Sequence, residues 1–234
     1  MPYSSRVAEW AAAAGNMASD ILQSGTEGRR HGGTWFVGVD ALPNATDGSI
    51  GGVPLDGAWR AVIEAPMYWH RAQLSVIFPG YPQQDVDESS AAHRYRRDRD
   101  AAHVDGLVPK GADKRRHLRE PHGFIAGFPL DDVAASPLVV WPGSHHIMRA
   151  AFADAFAGIP TKQWPTVDVT DAYRAASSKV IETCQRTPLR AAPGEVILLH
   201  RHLLHGIAPW AHTQETRPRR MAYFRPLVDL ADWL

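Results

Sequence analysis

The segment Ala101-Ala102-His103-Val104-Asp105-Gly106 holds the residues best placed for chemistry. On a strand, residues i and i+2 point to the same face. The spacing therefore projects His103 and Asp105 together and turns Val104 away. An imidazole and a carboxylate are two thirds of the 2-His-1-carboxylate facial triad that holds non-haem Fe(II). Such a triad leaves coordination positions open, two for a bidentate 2-oxo acid and one for O2. The third ligand must come from elsewhere. Gly194-Glu195-Val196-Ile197-Leu198-Leu199-His200-Arg201-His202-Leu203-Leu204-His205-Gly206 contains three histidines. His200 and His202 share parity on a strand and read as packing or supporting residues. His205 lies beyond a turn, and the bare Gly206 beside it leaves room near a metal. We take His205 as the third ligand.

A cationic cluster follows, Arg217-Pro218-Arg219-Arg220, running into strand-like Met221 to Phe224. A guanidinium can form two parallel hydrogen bonds to a carboxylate, which suits the far carboxylate of 2-oxoglutarate. Arg219 and Arg220 face opposite ways on a strand, so only one of them can be that anchor. Gln73 and Ser75 share parity on another strand and could hydrogen-bond cosubstrate or substrate. His117 and His122 could reach the site, although most such histidines are surface or hydrogen-bonding residues. Arg94, Arg96, Arg97, Arg99, Lys114, Arg115 and Arg116 flank the H-x-D segment; the interleaved Asp98 and Asp100 make a solvated loop the plainer reading than a phosphate contact. His145-His146 has no cysteine pair or second histidine pair at zinc spacing. Cys184 reads as packing on a helix face.

These residues need a scaffold of strands. Val7, Trp10, Ala11, Ala14, Met17, Ile21 and Leu22 recur at helical spacing, with Ser5 to cap the start and Gly25 to end it, predicting a helix over about 5–23. Thr34 to Val39, Trp59 to Ala65 and Ala72 to Phe78 read as strands, separated by a Gly/Pro/Asn/Asp-rich loop from Pro43 to Gly57. Residues 83–99 read as loop or exposed helix. Phe124 to Leu130 and Leu138 to Trp141 read as two strands joined by a connection of hairpin length, Asp131 to Pro137. Two helices follow, about His145 to Phe156 and one capped by Thr170, within an insert of about 145–186. Glu195 to Leu199 and Met221 to Phe224 close the series. Many short strands with Gly/Pro turns predict a mainly β barrel or jelly roll with flanking helices.

Composition bounds the partners. The chain has 234 residues, 44% apolar and 21% charged, which is ordinary for a globular protein and predicts a single domain over 1–234. Lys plus Arg equals Asp plus Glu at 25 each, so no net charge draws it to nucleic acid or an anionic membrane. The sequence shows no signal-peptide pattern at its start and no apolar run of membrane-spanning length. The single cysteine cannot form an internal disulfide, and a cytoplasmic setting is expected. Twelve histidines and eight tryptophans stand out, the latter pointing to a large rigid core or pocket lining.

Taken together, three segments resemble the phytanoyl-CoA dioxygenase-like branch of the Fe(II)/2-oxoglutarate oxygenases. They are His103-Val104-Asp105, the stretch Phe128-Pro129-Leu130-Asp131-Asp132 through Leu138-Val139-Val140-Trp141-Pro142-Gly143-Ser144-His145, and Pro193 to Arg220. The resemblance covers roughly residues 70–228, and residues before about 65 are not diagnostic. It implies a double-stranded β-helix (a cupin-like jelly roll) with its core over about 59–228 and the metal at one open end. It implies His103, Asp105 and His205 as iron ligands, Arg219 as the anchor of the 2-oxoglutarate C5 carboxylate, and His145 near the active-site side of the barrel. Ile207 stands where the family often has Ser, Trp210 where it often has Asn, and the stretch from His205 to Arg219 is about three residues long for the family. A different 2-oxo acid, or an anchor at Arg220, therefore stays open.

The function implied is oxidative decarboxylation of 2-oxoglutarate to succinate and CO2, coupled to hydroxylation of a small organic substrate by O2. The carboxylate of Asp105 argues for oxygenation, since related halogenases lack it. Two alternatives are a jelly-roll lyase or hydrolase with the same metal ligands, and a non-catalytic jelly-roll binding module.

Overall fold

The computed structural model describes residues 1–25, 28–64, 66, 68–211 and 214–234. Apolar residues at helical spacing form α1 (Ser5–Ser24), which buries Val7, Trp10, Ala11, Ala14 and Ala18. It starts without a side-chain cap and stops where Gly25 turns left-handed at φ 63°. The strands are β1 (Trp35–Gly38), β2 (Gln73–Ile77), β3 (Leu107–Lys110), β4 (Arg115–Leu118), β5 (Phe124–Pro129), β6 (Leu138–Val140), β7 (Thr187–Leu189), β8 (Ile197–His200), β9 (His205–Ile207) and β10 (Arg219–Phe224). The remaining helices are α2 (Ser90–Asp98), α3 (Ser144–Phe156) and α4 (Thr170–Thr183).

Five strands form one sheet in the order β1-β2-β10-β5-β8, and three form a second in the order β7-β6-β9, with every pairing antiparallel. This is a jelly roll, mainly β with flanking helices. Alternation along β10 explains its layers. Arg219, Met221 and Tyr223 share one face, Arg220, Ala222 and Phe224 the other. The first face packs toward the second sheet in a cluster with Ile125, Leu138, Val140, Ile197 and Leu199. The second packs under α1, where the Trp10 ring lies 5.1 Å from Phe128 and 5.9 Å from Phe224. On the far side, α3 and α4 cover Val139 and Trp141 with Met148, Phe152, Tyr173 and Val180.

Several expectations need correction. Phe124–Leu130 and Leu138–Trp141 are strands but not a hairpin: β5 pairs with β10 and β8, while β6 pairs with β7 and β9. The Asp131–Pro137 connection crosses between sheets, held by Arg220 on Asp131 and by Ser136 Oγ on the Ala208 carbonyl. Loop length cannot tell a hairpin from a crossing. Trp59 to Ala65 is not a strand. Ala58–Val62 forms a 3-10 turn, and Ala65 lies outside the described residues. Trp59 reaches the core from that turn, meeting Phe128 at 5.3 Å and Trp69 at 5.8 Å, so its aromatic character reports burial rather than a pleat. Strand β1 joins the main sheet, so the sheet begins before residue 59. Thr170 opens α4, but the carboxylate of Asp168 bonds both its amide and its hydroxyl, at 2.9 and 2.6 Å. Among the described residues no helix is long and apolar enough to cross a membrane.

Candidate metal centre

The H-x-D segment is not a regular strand. His103 makes one bridge pair with His205, donating its amide to the His205 carbonyl at 2.8 Å and accepting from the His205 amide at 3.0 Å. Residues directly opposite in an antiparallel pair put their side chains on one face. The two imidazoles accordingly sit with ring centroids 4.6 Å apart. Asp105 joins them, its Oδ1 at 3.2 Å from His103 Nε2 and its Oδ2 at 3.8 Å from His205 Nε2. The three ligating atoms lie within 4.8 Å of one another, and among the described residues this is the one group of three or more His, Cys, Asp or Glu placed to hold a metal ion.

Local backbone aims these side chains. Asp100 and Ala101 both adopt positive φ, 55° and 51°, a conformation uncommon for residues with a Cβ. Two contacts hold that turn. Arg186 forms a two-pronged pair with the buried Asp100 carboxylate at 2.7 Å for each bond, and the Asp100 carbonyl accepts from the Ile207 amide at 2.8 Å. Gly206 is required there. The room expected beside a metal is instead filled by the Asp100 carbonyl, on whose oxygen a Cβ at Gly206 would fall.

The donor set fits a divalent transition metal. His103 Nδ1 bonds the Ala101 carbonyl and His205 Nδ1 the Leu203 carbonyl, each at 2.9 Å. A carbonyl only accepts, so each Nδ1 carries a proton, and Nε2 is the ring atom turned to the centre. Burial, with help from His103, pushes the His205 pKa down to about 4, keeping that imidazole neutral. Burial opposes ionisation of Asp105, but Arg225, His103 and His205 outweigh it and hold its pKa well below the usual carboxylate range. A neutral His205 imidazole and an ionised Asp105 carboxylate result, with His103 Nε2 beside them.

The triad opens on a cavity of about 860 Å³. Gln73 and Ser75 both line it: Gln73 Oε1 accepts from Arg225 Nη1 at 3.0 Å, and Ser75 Oγ accepts from Trp35 Nε1 at 3.1 Å. His122 also lines it, its Nδ1 on the Arg225 carbonyl at 3.1 Å. His117 and His145 do not. His145, in the first turn of α3, packs 4.0 Å from His146 and 5.0 Å from His200. His200 and His202 are not part of the metal group. His202 is buried against Phe152 and Trp233.

Arg219 faces the barrel interior but opens on a second cavity of about 250 Å³, lined also by Met221 and Ile197. It is 6% exposed, and its Nη1 is buried without a hydrogen-bond partner. Arg220 faces the other way. It holds Asp131 through two bonds of 2.7 Å and reaches Gly15 and Ser19 of α1, so it is an interlayer clamp remote from the cavity. The flanking basic residues Arg96, Arg97 and Arg115 pair with Glu88, Asp98 and Asp168.

Sequence reasoning missed Arg225 and Tyr223. Arg225 Nε donates to Asp105 Oδ2 at 2.5 Å, and its backbone amide donates to His70 Nε2 at 2.7 Å. Tyr223 lines the cavity with a buried, unpartnered hydroxyl. Parity along the strand, 219, 221, 223, 225, was the available signal.

No family model and no curated protein matches the chain. Among solved structures it is similar to the non-heme alpha ketoglutarate dependent carbocyclase SnoK from nogalamycin biosynthesis, at 13% identity and TM-score 0.50, covering 92% of this chain and 74% of that one. It is also similar to EctD from S. alaskensis in its apoform, at 17% identity and TM-score 0.47, covering 95% and 69% of the two chains. At this identity the likeness to SnoK is one of fold, and it agrees with the jelly roll built from the two facing sheets.

Proposed function

We propose that the protein is a non-haem Fe(II)/2-oxoglutarate-dependent dioxygenase that hydroxylates a small organic substrate. The observation that carries this reading is the His103–Asp105–His205 centre, with both Nε2 atoms and a carboxylate converging on a cavity. A three-ligand face of this composition suits non-haem Fe(II) with positions left open. The cosubstrate is the kind named for SnoK; its carbocyclase reaction is not carried over. Bound iron would supply the activation of O2, with 2-oxoglutarate decarboxylated to succinate and CO2 as the substrate takes up oxygen.

The residues of the chain then have separate tasks. His103 and His205 turn their Nε2 atoms to the centre because backbone carbonyls hold their Nδ1 atoms. Arg225 holds one oxygen of Asp105 and fixes the carboxylate plane. Ile125, Leu138, Leu199 and Ile207 line the cavity with apolar surface beside the centre. Arg219 is the anchor for the distal carboxylate of the cosubstrate. A buried guanidinium with an unpartnered Nη1 is costly unless an anion meets it. The cytoplasm, where a lone thiol stays reduced, is the setting this chemistry fits.

Anaerobic titration of the apoprotein with Fe(II) and then 2-oxoglutarate tests the reading. A weak visible charge-transfer band, and succinate formed on admitting air, are expected. Neither signal with the unmodified chain would remove 2-oxoglutarate chemistry and leave the binding-module reading ahead.

A further inference from the structure

The charges lining the cavity of about 860 Å³ do not balance. Two guanidinium groups line it among the described residues, and both are taken. Arg225 holds Asp105, and Arg96 donates to Glu88 at 2.9 and 3.2 Å. The lining carboxylate of Asp100 is likewise held by Arg186. Asp40 and Glu120 remain, both more than half exposed and so placed at the mouth, and among the described residues no Arg or Lys pairs with either. The partner of each is a histidine bonded to the backbone of Arg225. His70 comes within 3.5 Å of Asp40, but its Nε2 accepts from the Arg225 amide and its Nδ1 donates to the Arg71 carbonyl, each at 2.7 Å, so neither ring nitrogen is left for the carboxylate. His122 comes within 3.3 Å of Glu120, with its Nδ1 on the Arg225 carbonyl. Apolar side chains stand beside both acids. Val39 precedes Asp40, Tyr68 is two residues before His70, and Leu227 forms a backbone bridge with His122. Val39, Tyr68 and Leu227 all line the cavity and all are more than half exposed, an apolar lip that a substrate body would cover. Through His70 and His122, both flanks of the mouth are tied to the residue that grips Asp105.

Resting on the oxygenase reading above, we propose that the substrate is a cationic amine with an apolar body. The body packs on Val39, Tyr68 and Leu227, and the ammonium meets Asp40 and Glu120. A phosphate or carboxylate substrate finds no free guanidinium in the described lining and two uncompensated carboxylates at the entrance, so like charge selects against it.

The test is calorimetric titration of the metal-free full chain with phenylbutylamine, phenylbutanol and phenylbutanoate, which share one body and differ in charge near neutral pH. Without metal, none of them can bind through iron. The amine is expected to bind about 2- to 30-fold more tightly than the alcohol, the range for two exposed ion pairs, and the acid more weakly than the alcohol. In the double variant Asp40→Asn, Glu120→Gln the amine should fall to the level of the alcohol, with alcohol affinity unchanged. Asn is tolerated at position 40, where φ is 50°, as well as Asp is. A parent chain that binds amine no better than alcohol, or binds none of the three, overturns the proposal. An amine preference that survives in the double variant also overturns it, as does an equal loss of all three ligands there. The 2-oxoglutarate band, read on an Fe(II)-loaded sample of the same preparation, reports the cosubstrate separately. A band without amine preference overturns this proposal alone. Amine preference without a band supports the amine site and overturns the cosubstrate reading.

Discussion

Gly206→Ala should damage both the fold and the metal centre, although it adds a single methyl group. Gly206 needs no positive φ, so the effect is purely one of space. A Cβ there would lie 3.0 Å from the Asp100 carbonyl carbon, 3.3 Å from Ala102 Cα, and closer still to the Asp100 oxygen. These are backbone atoms, and a rotamer change cannot relieve them. The two segments must separate, which breaks the 2.8 Å bond from the Ile207 amide to that oxygen. Overpacking costs about 1–3 kcal/mol and a lost hydrogen bond about 0.5–1.5 kcal/mol. A destabilisation of about 2–4 kcal/mol follows, short of unfolding a typical domain of about 5–15 kcal/mol. The same separation pulls on the His103–His205 bridge, whose two bonds of 2.8 and 3.0 Å set the spacing of both imidazoles. Metal affinity should fall about 10- to 100-fold, as when supporting partners of metal ligands are lost. Urea unfolding of the apoprotein and Co(II) titration measure the two effects. Gly28→Ala is the control, since a Cβ there meets nothing within 4 Å, and it should stay within about 0.5 kcal/mol of the parent. A Gly206→Ala chain as stable as that control, with parental Co(II) affinity, would refute the close-approach argument.

Other outcomes separate the two arginines and the histidines. Arg219→Ala should abolish the 2-oxoglutarate band at cosubstrate concentrations that saturate the parent, whereas Arg220→Ala should keep it and lower stability by about 1–3 kcal/mol, since it strips Asp131 of a partly buried partner. Parental 2-oxoglutarate affinity in Arg219→Ala would sink the anchor assignment. His202 is fully buried, and burial, then the nearby His200, Arg201, Arg149 and His145, pushes its pKa down to about 3. The unfolded chain takes up that proton near pH 6.5 and the folded chain does not, so stability present above about 6.5 is lost as pH falls, by about 2 kcal/mol at pH 5. His202→Phe should flatten that acid limb in urea melts at pH 7.5 and 5, and an undiminished limb would show that other groups produce it. A divalent metal at about one hundred times its Kd should raise the unfolding free energy by about 2.7 kcal/mol; that gain should disappear in His205→Ala, and its persistence there would place the metal elsewhere.

Much of the scaffold was legible because side-chain periodicity is a local property. Apolar recurrence from Val7 to Leu22 predicts α1, and the β-branched and strand-like runs Ala72 to Phe78 and Met221 to Phe224 predict β2 and β10. The reading failed where one pattern serves two structures. Trp59 is aromatic because it is buried, and a 3-10 turn buries it as well as a strand would. The Asp131–Pro137 loop has the length of a hairpin yet joins two sheets, because pairing partners far along the chain decide the matter.

By itself the sequence determined the kinds of donor available and their local spacing: an imidazole and a carboxylate two apart, a His-Gly pair about one hundred residues later, and an arginine pair of opposite parity. Only the tertiary structure decided which of these meet. The His103–His205 bridge brings two distant histidines to 4.6 Å, and Arg225 reaches Asp105 across 120 residues of chain. The structure also settled which arginine faces in. Parity says that Arg219 and Arg220 diverge, but only the packing of α1 on one face of the sheet, and of the second sheet on the other, tells inside from outside. The physical reason is common to each case. Periodicity is set by a few neighbouring residues, whereas a site is set by contacts between segments that are remote in the chain.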